Sequence, residues 1–262
     1  MKLAVIFVGL LAWSTTSVHS LIDSAPKSPE SFVINGLNAT LTPHHALVEF
    51  FNAAGLGFFG GGSIITSQHI LTSAQNVHGF VRWRVGYGTY RRLELTWVES
   101  TNGLTYPQYN PVNRNNDIAI ITLPSHIVFS GRVRPIALPQ FGMEELPYQN
   151  EQGMITGFGF TNDQNHIAAD NLRYGYVRVQ PNTACTNVLQ IQTPNHFCAL
   201  DSRHPVNICN GDIGGGFVVF YRSQELLVGI NSMIIQNCHI QWPSAYTRVS
   251  LYLTWIRQIT GL

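Results

Sequence analysis

Among the 262 residues of this chain, the stretch most clearly shaped for covalent chemistry is CNGDIGGGFVV, residues 209–219. A glycine-rich turn of this kind can present a nucleophile, because Gly211, Gly214 and Gly215 allow backbone angles and close approaches that side chains prevent. The presenting position holds Ile213, and no serine or cysteine adjoins it. A phosphate cradle is excluded, since no Gly-Lys-Ser/Thr follows the glycines. The four cysteines, Cys185, Cys198, Cys209 and Cys238, all fall in the C-terminal third. In a secreted chain they are expected as two disulfides, and their spacing fits no common zinc pattern, so neither metal nor cofactor is expected.

These residues need a scaffold, and composition says what kind. With 45% hydrophobic and 11% charged residues the chain must fold around a large core. Residues 1–20, MKLAVIFVGLLAWSTTSVHS, have a lysine, an apolar run to Ala12 and small or branched residues before a cut. That is the layout of a secretory signal peptide, and the run is too short for the roughly 20 residues of a membrane span. The mature chain is expected to start at Leu21 and to be extracellular. Losing Lys2 leaves 14 basic against 14 acidic residues, from 15 and 14, so nucleic acid is not an expected partner.

Segments rich in Val, Ile, Phe and Tyr recur between Gly, Asn and Pro punctuation: HALVEFF, SIITSQHILTS, FVRWRVGYG, LELTWVES, DIAIITL, GMITGFGF, LRYGYVRV, GGFVVFY, ELLVGINSMI and SAYTRVS. Each reads as a strand. Only the tail LYLTWIRQI has apolar residues at helical spacing, with Leu251, Trp255 and Ile259 on one face. Residues 138–153 are the least strand-like long stretch and form the candidate linker between two β halves. Two antiparallel barrels would leave so many short strands few exposed edges. Arg82 and Arg84 alternate on one strand face, with Arg91 and Arg92 beyond a turn; a solvated face is the default reading, a polyanion patch the alternative. NAT at Asn38 is a glycosylation signal.

GGGSIITSQHILTSAQNV, NNDIAIITLP, CNGDIGGGFVV, LVGINSM and PSAYTRVSLYLTWI occur in the order and spacing of one family. From Val33 to the C-terminus the chain resembles the chymotrypsin-like (trypsin-family) serine proteases. The resemblance implies an all-β fold of two six-stranded Greek-key barrels, about residues 33–140 and 150–250, with a helix at about 250–260. Residues 21–32 would be a short propeptide-like segment.

Catalysis in that family uses a serine to attack, a histidine to take its proton and an aspartate to hold the histidine. The resemblance puts Gln75 of LTSAQN at the histidine position, Ile213 at the serine position and Asp117 at the aspartate position. An amide offers no lone pair that titrates near neutral pH, so Gln75 cannot be a general base. His78 and His69 lie nearby in sequence but off the motif, and read as loop or strand histidines. Asp117 is expected to be a buried carboxylate kept by hydrogen bonds.

The same resemblance makes the N–H groups of Gly211 and Ile213 a vestigial oxyanion hole, and pairs Cys185 with Cys198 and Cys209 with Cys238. Asn207, Ser232, Met233 and Ile234 become a vestigial specificity pocket, narrowed where Ile234 replaces a glycine. Gly60 and Asn76 stand where relatives carry a bridge, so that half is expected to rely on apolar packing. Val33 and Asp212 occupy the activation-pair positions, but Phe32 replaces the basic residue before the cut. An uncut chain with a looser pocket is the preferred expectation; cleavage after Phe32, joining the Val33 amine to Asp212, is the other.

The function that follows is a secreted, non-catalytic protease homologue that binds a protease, zymogen, inhibitor or surface molecule. A peptidase with displaced base and nucleophile, and a structural or storage role, stand as alternatives. Oligomeric state is not legible.

Overall fold

In the computed structural model, the described residues are 33, 35–40, 42–143, 145–160, 167–189, 195–203, 206–235, 238 and 240–262. The signal-peptide segment, the propeptide-like segment with Phe32, and Ile34 lie outside them.

The N-terminal half is an antiparallel sheet of β2 (His45–Phe51), β3 (Gly57–Ile64), β4 (His69–Thr72), β5 (Arg82–Tyr87), β6 (Thr96–Ser100), β7 (Asn102–Thr105) and β8 (Ala119–Thr122). Its order is β6-β5-β2-β3-β4-β8-β7. Only Thr101 separates β6 from β7, which lie on opposite edges, so the two are one strand bent at a corner and the sheet is a six-stranded half-barrel.

The C-terminal half contains β9 (Gln152–Gly157), β10 (Arg173–Val179), β11 (His196–Leu200), β12 (Gly216–Tyr221), β13 (Gln224–Met233) and β14 (Ser244–Arg248). The β9–β10 pairing joins the two ends of the run β10-β11-β14-β13-β12-β9, which closes the barrel. A two-residue strand, β1 (Leu37–Asn38), adds to the outer side of β10. Among the described residues the stretch between β8 and β9 carries no regular strand, and the expected linker, 138–153, runs two residues too far, since Gln152 and Gly153 open β9.

Side-chain alternation explains the pairing. Along β10, Arg173, Gly175, Val177 and Val179 turn inward, while Tyr176 and Arg178 face solvent. A one-residue slip would expose the whole inward set, which fixes register against β9. Phe197, Phe217 and Tyr246 meet ring to ring at 4.9 to 5.3 Å in the closed barrel. Val48, Ile70, Trp83 and Ile121 fill the half-barrel. A third cluster, with Leu71, Ile118, Ile120, Leu227, Ile230 and Ile256, joins the halves, each buried side chain worth roughly 1.5 to 3 kcal/mol.

The C-terminal helix is present, but its buried face differs from the expectation. A 3-10 turn, Val249–Tyr252, precedes the α-helix Leu253–Thr260. Tyr252, Leu253 and Ile256 are buried, whereas Leu251 is 47% and Ile259 37% exposed. The tighter 3-10 turn advances the side chains further per residue, so a 3.6-residue period begun at Leu251 is out of phase by the second turn.

A second helix, Asn182–Leu189, corrects the expectation of a single helix. Its sequence, NTACTNVL, is poor in strong helix formers. Pro181 precedes it and Cys185 ties it to Cys198 of β11. With α1 for Asn182–Leu189 and α2 for Leu253–Thr260, the strands β1, β7 and β11 are the other elements that no strand segment read from the pattern covers.

Candidate functional site

The 3-10 turn Ala74–Asn76 follows β4 and carries Gln75 to the junction of the two barrels. Gln75 Nε2 donates to Asp117 Oδ2 at 2.7 Å and to the carbonyl of Ser232 at 2.7 Å, and its backbone N–H donates to Asp117 Oδ1 at 2.9 Å. Both hydrogens of the amide are therefore engaged. Asp117 sits after a strained run in which Arg114 and Asn116 adopt φ of 60° and 59°. Asn116 suits that conformation and its Oδ1 accepts from Tyr252 and Asn195, which locks the approach to Asp117.

Asp117 is fully buried, and Ser232 Oγ donates to its Oδ2 at 2.6 Å. Burial pushes its carboxyl above the ordinary range, against the hydrogen bonds from Ser232 and Gln75 and the charge of Arg114. Thr247 Oγ1 donates to the Asp117 carbonyl at 2.9 Å. The carboxylate is kept by hydrogen bonds, as its sequence environment implies.

His196 extends this network and was not among the sequence candidates. Its Nε2 lies 3.3 Å from Ser232 Oγ and 3.4 Å from Thr247 Oγ1. Both hydroxyls donate to Asp117, so their oxygens can accept from Nε2 in the tautomer that carries its hydrogen there. Burial holds its pKa down at about 4. No pattern signal marks it, since β11 is buried on both faces and shows no alternation.

Neither sequence-proximal histidine substitutes for Gln75. His69 bonds Thr66 Oγ1 at 2.8 Å and sits on β4 opposite Thr122. His78 is exposed and packs its ring edge against Tyr109 at 5.6 Å.

Across the junction, Ile213 occupies the centre of the glycine loop, partly buried and packed against the closed-barrel core together with Ile234. Gly211 has φ +92°, and a Cβ there would lie 2.3 Å from the Phe59 ring. Gly214 has φ +90°, and a Cβ would fall 2.3 Å from Thr72 Oγ1. Only glycine meets both constraints. The N–H groups of Gly211 and Ile213 donate no hydrogen bond among the described residues.

The Ile213 carbonyl is the joint between the barrels. It accepts from Gly61 N at 2.8 Å and from Asn76 Nδ2 at 2.8 Å. A Cβ on Gly60 would meet Asn76 Nδ2 and the Ile213 oxygen at 2.5 Å each. The expectation that apolar packing alone holds this half is thus incomplete: the Asn76 amide fills the place of the bridge and also reaches Thr72 Oγ1 at 3.2 Å.

The pocket residues turn inward. Asn207 is buried, with Nδ2 donating to the Trp242 carbonyl at 2.9 Å and Oδ1 accepting from Ile208 N at 2.9 Å and Ser244 Oγ at 2.6 Å. Ser232 is committed to Asp117. Met233 ends β13 opposite Ala245, partly buried. Nothing in this set offers a charge to a substrate.

Asp212 is fully buried and accepts from Gly159 N at 2.7 Å and Cys209 N at 2.9 Å. No cation pairs with it among the described residues, and burial pushes its carboxyl up to about 7. Val33 is also fully buried and joins the closed-barrel core.

The disulfides are Cys185–Cys198 and Cys209–Cys238. Asn38 and Thr40 of the NAT signal are exposed at β1, with Ala39 buried between them. The strand arginines meet acids: Arg84 bonds Glu49 at 3.0 Å, Arg82 bonds Glu99 at 3.5 Å, Arg91 bonds Glu94 at 3.0 Å and Arg92 bonds Asp170 at 3.3 Å. Paired arginines make a solvated face rather than a polyanion patch. No helix among the described residues is long and apolar enough to cross a membrane.

A model of the family described as Trypsin matches residues 33–256. A collagenase from Hypoderma lineatum is 30% identical across 100% of this chain and 99% of its own. A brachyurin from Leptuca pugilator is 32% identical over 78% of this chain and 89% of its own. The solved structure of HL collagenase superposes with a TM-score of 0.79 at 29% identity, covering 87% of this chain and 99% of that one. Two barrels, one closed and one half-barrel, followed by a C-terminal helix, agree with that likeness, and the chain belongs to the trypsin family.

Proposed function

We propose that this chain is a secreted trypsin-family protein without peptidase activity, which acts by binding another protein. One observation carries the reading: Gln75 Nε2 stands at the base position with both hydrogens donated, to Asp117 Oδ2 and to the Ser232 carbonyl. Peptide hydrolysis needs a proton acceptor there, and an amide nitrogen with no basic lone pair cannot accept. Ile213 supplies no nucleophile in turn. Oxyanion donors alone would leave an acceleration of about 10³ to 10⁴ over water, negligible for peptide bonds.

The partner is of the kind a protease surface meets: an active protease, a zymogen, an inhibitor or a surface molecule. Secretion is supported by the two disulfides, and a glycan at Asn38 by the exposure of both Asn38 and Thr40. The chain is read as uncut before Val33, and amino-terminal sequencing of secreted protein yielding Val33 would reject that.

The test of lost catalysis is fluorophosphonate labelling together with a peptide-cleavage assay on the secreted protein. Absence of both is expected; labelling with cleavage would replace this reading by a peptidase with displaced groups. The test of binding is capture from extracellular fluid, with an unrelated β-barrel protein as control. Stoichiometric recovery of one protein supports it, and recovery of nothing above control favours a structural role.

A further inference from the structure

An asparagine followed by glycine can react without an enzyme: the glycine nitrogen attacks the side-chain carbonyl carbon, and glycine brings no side chain to block the approach. Three such pairs occur in the chain, Asn35–Gly36, Asn102–Gly103 and Asn210–Gly211. The fold treats them differently.

Two are held against the reaction. Asn102 and Gly103 both lie in β7, opposite Thr122 and Ile121 of β8, and a Cβ on Gly103 would stand 2.8 Å from the Trp83 ring. Turning the Gly103 nitrogen onto Asn102 would break the ladder and push into that ring. Gly36 is buried, and its N–H donates to the Val33 carbonyl. That hydrogen bond must be given up before the nitrogen can attack.

The third pair is unguarded. Asn210 and Gly211 are the central residues of a turn closed by Asp212 N–H on the Cys209 carbonyl at 2.9 Å. Asn210 is exposed, and its Nδ2 makes a long contact of 3.9 Å to Cys238 Sγ. Gly211 is half-exposed, and its N–H donates no hydrogen bond among the described residues. The Asn210 carbonyl accepts from Phe160 N at 2.7 Å, but this carbonyl survives ring closure, so the bond does not oppose it.

In the reaction the Gly211 nitrogen forms a bond to Asn210 Cγ, the Cγ–Nδ2 bond breaks, and ammonia leaves with the Gly211 proton. Water then opens the imide. Cleavage between the nitrogen and Cγ gives aspartate; cleavage between the nitrogen and the main-chain carbonyl carbon gives isoaspartate, which adds a methylene to the main chain. Gly211 packs so closely that a Cβ would stand 2.3 Å from the Phe59 ring, and a lengthened main chain has no room there.

We infer that Asn210 is a self-modification site: in the folded protein it converts to aspartate and isoaspartate ahead of Asn35 and Asn102, and the isoaspartate form loosens the glycine loop. Either product adds a negative charge beside the unengaged N–H groups of Gly211 and Ile213. The reaction needs water alone, so it does not depend on whether the cleft is catalytic or on what it binds.

The test is timed incubation of the intact secreted protein in warm, mildly alkaline buffer, followed by peptide mapping with fragmentation that tells aspartate from isoaspartate. Conversion several-fold faster at Asn210 than at Asn102 or Asn35 is expected. The same protein, reduced and unfolded in urea, should react at all three at similar rates, because each is followed by glycine. Asn210→Gln, whose longer side chain closes the ring poorly, should stay unconverted and keep the parent melting temperature, since the side chain is exposed. Converted protein, resolved from the parent by its added charge, should melt below Asn210→Asp, which carries that charge without the added methylene. Asn210 intact in the folded protein while it reacts in the unfolded one, or Asn35 or Asn102 reacting as fast in the folded protein, overturns the inference. Converted protein that melts with Asn210→Asp overturns the loosened loop.

Discussion

The two sides of the central cleft are held by different means. On the C-terminal side the glycine loop is fastened covalently, since Cys209 opens it and is bridged to Cys238. On the N-terminal side the turn bearing Gln75 has no bridge, and amide hydrogen bonds from Gln75 and Asn76 fix it to Asp117, Ser232 and Ile213. The junction between the barrels keeps its shape without a bridge on this side, because the polar valences around the turn are satisfied by amide donors. On the proposed reading, one of these amides, Gln75, also stands where a base would be needed.

The strongest way to break this comparison is to place a histidine and a serine on the two sides. Gln75→His with Ile213→Ser should give fluorophosphonate labelling that neither single variant gives, because residues of a catalytic unit are strongly non-additive. Labelling of either single variant would mean that the surroundings, and not the two substitutions, set the activity. The next effect is on the fastened side. Replacing Cys209 and Cys238 by serine should lower stability by about 3 to 4 kcal/mol, for a loop spanning 29 residues. Urea denaturation measures it, and a loss under 1 kcal/mol would show that the bridge is dispensable.

Asn76→Ala probes the unbridged side and should cost about 1 to 2 kcal/mol, the range for a buried hydrogen bond whose acceptor keeps a second partner. Gly60→Cys with Asn76→Cys sharpens it: a bridge should form and raise the reductant-sensitive melting temperature. No difference between oxidised and reduced protein would mean that the geometry no longer admits the bond.

The smallest effect is in pH. Asp212, raised to about 7 by burial, binds its proton more tightly folded than unfolded, so its contribution to stability falls as pH rises through 7. His44, His45 and His196, lowered by burial to about 4, 3 and 4, stay neutral when folded, so stability falls as pH drops below 6.5. The melting temperature should peak near pH 6 to 7. Asp212→Asn should flatten the alkaline side by about 1 kcal/mol between pH 6.5 and 8. An alkaline limb unchanged in that variant would show that Asp212 has found a cation, as a cut chain would supply.

The family resemblance was legible because its motifs are local. Glycines, a buried aspartate and paired cysteines each impose their own backbone or bonding demand, and Gln75 and Ile213 are legible as departures at marked places. What escaped pattern reading lay where tertiary context overrides the local signal. α1 has weak helix formers and is held by a bridge, β7 is only four residues long, and the C-terminal helix is phased by a 3-10 turn that no periodicity revealed.

By itself, then, the sequence determined the two-barrel fold and the disulfide set its family implies, since these follow from residue type and order. Only the tertiary structure decided where polar valences end. It turned both amide hydrogens of Gln75 onto acceptors distant in sequence, set Asn76 against the carbonyl of Ile213, and placed His196 beside Ser232. Hydrogen bonds between residues more than a hundred positions apart depend on how closed sheets bring strands together, and no local pattern encodes that distance.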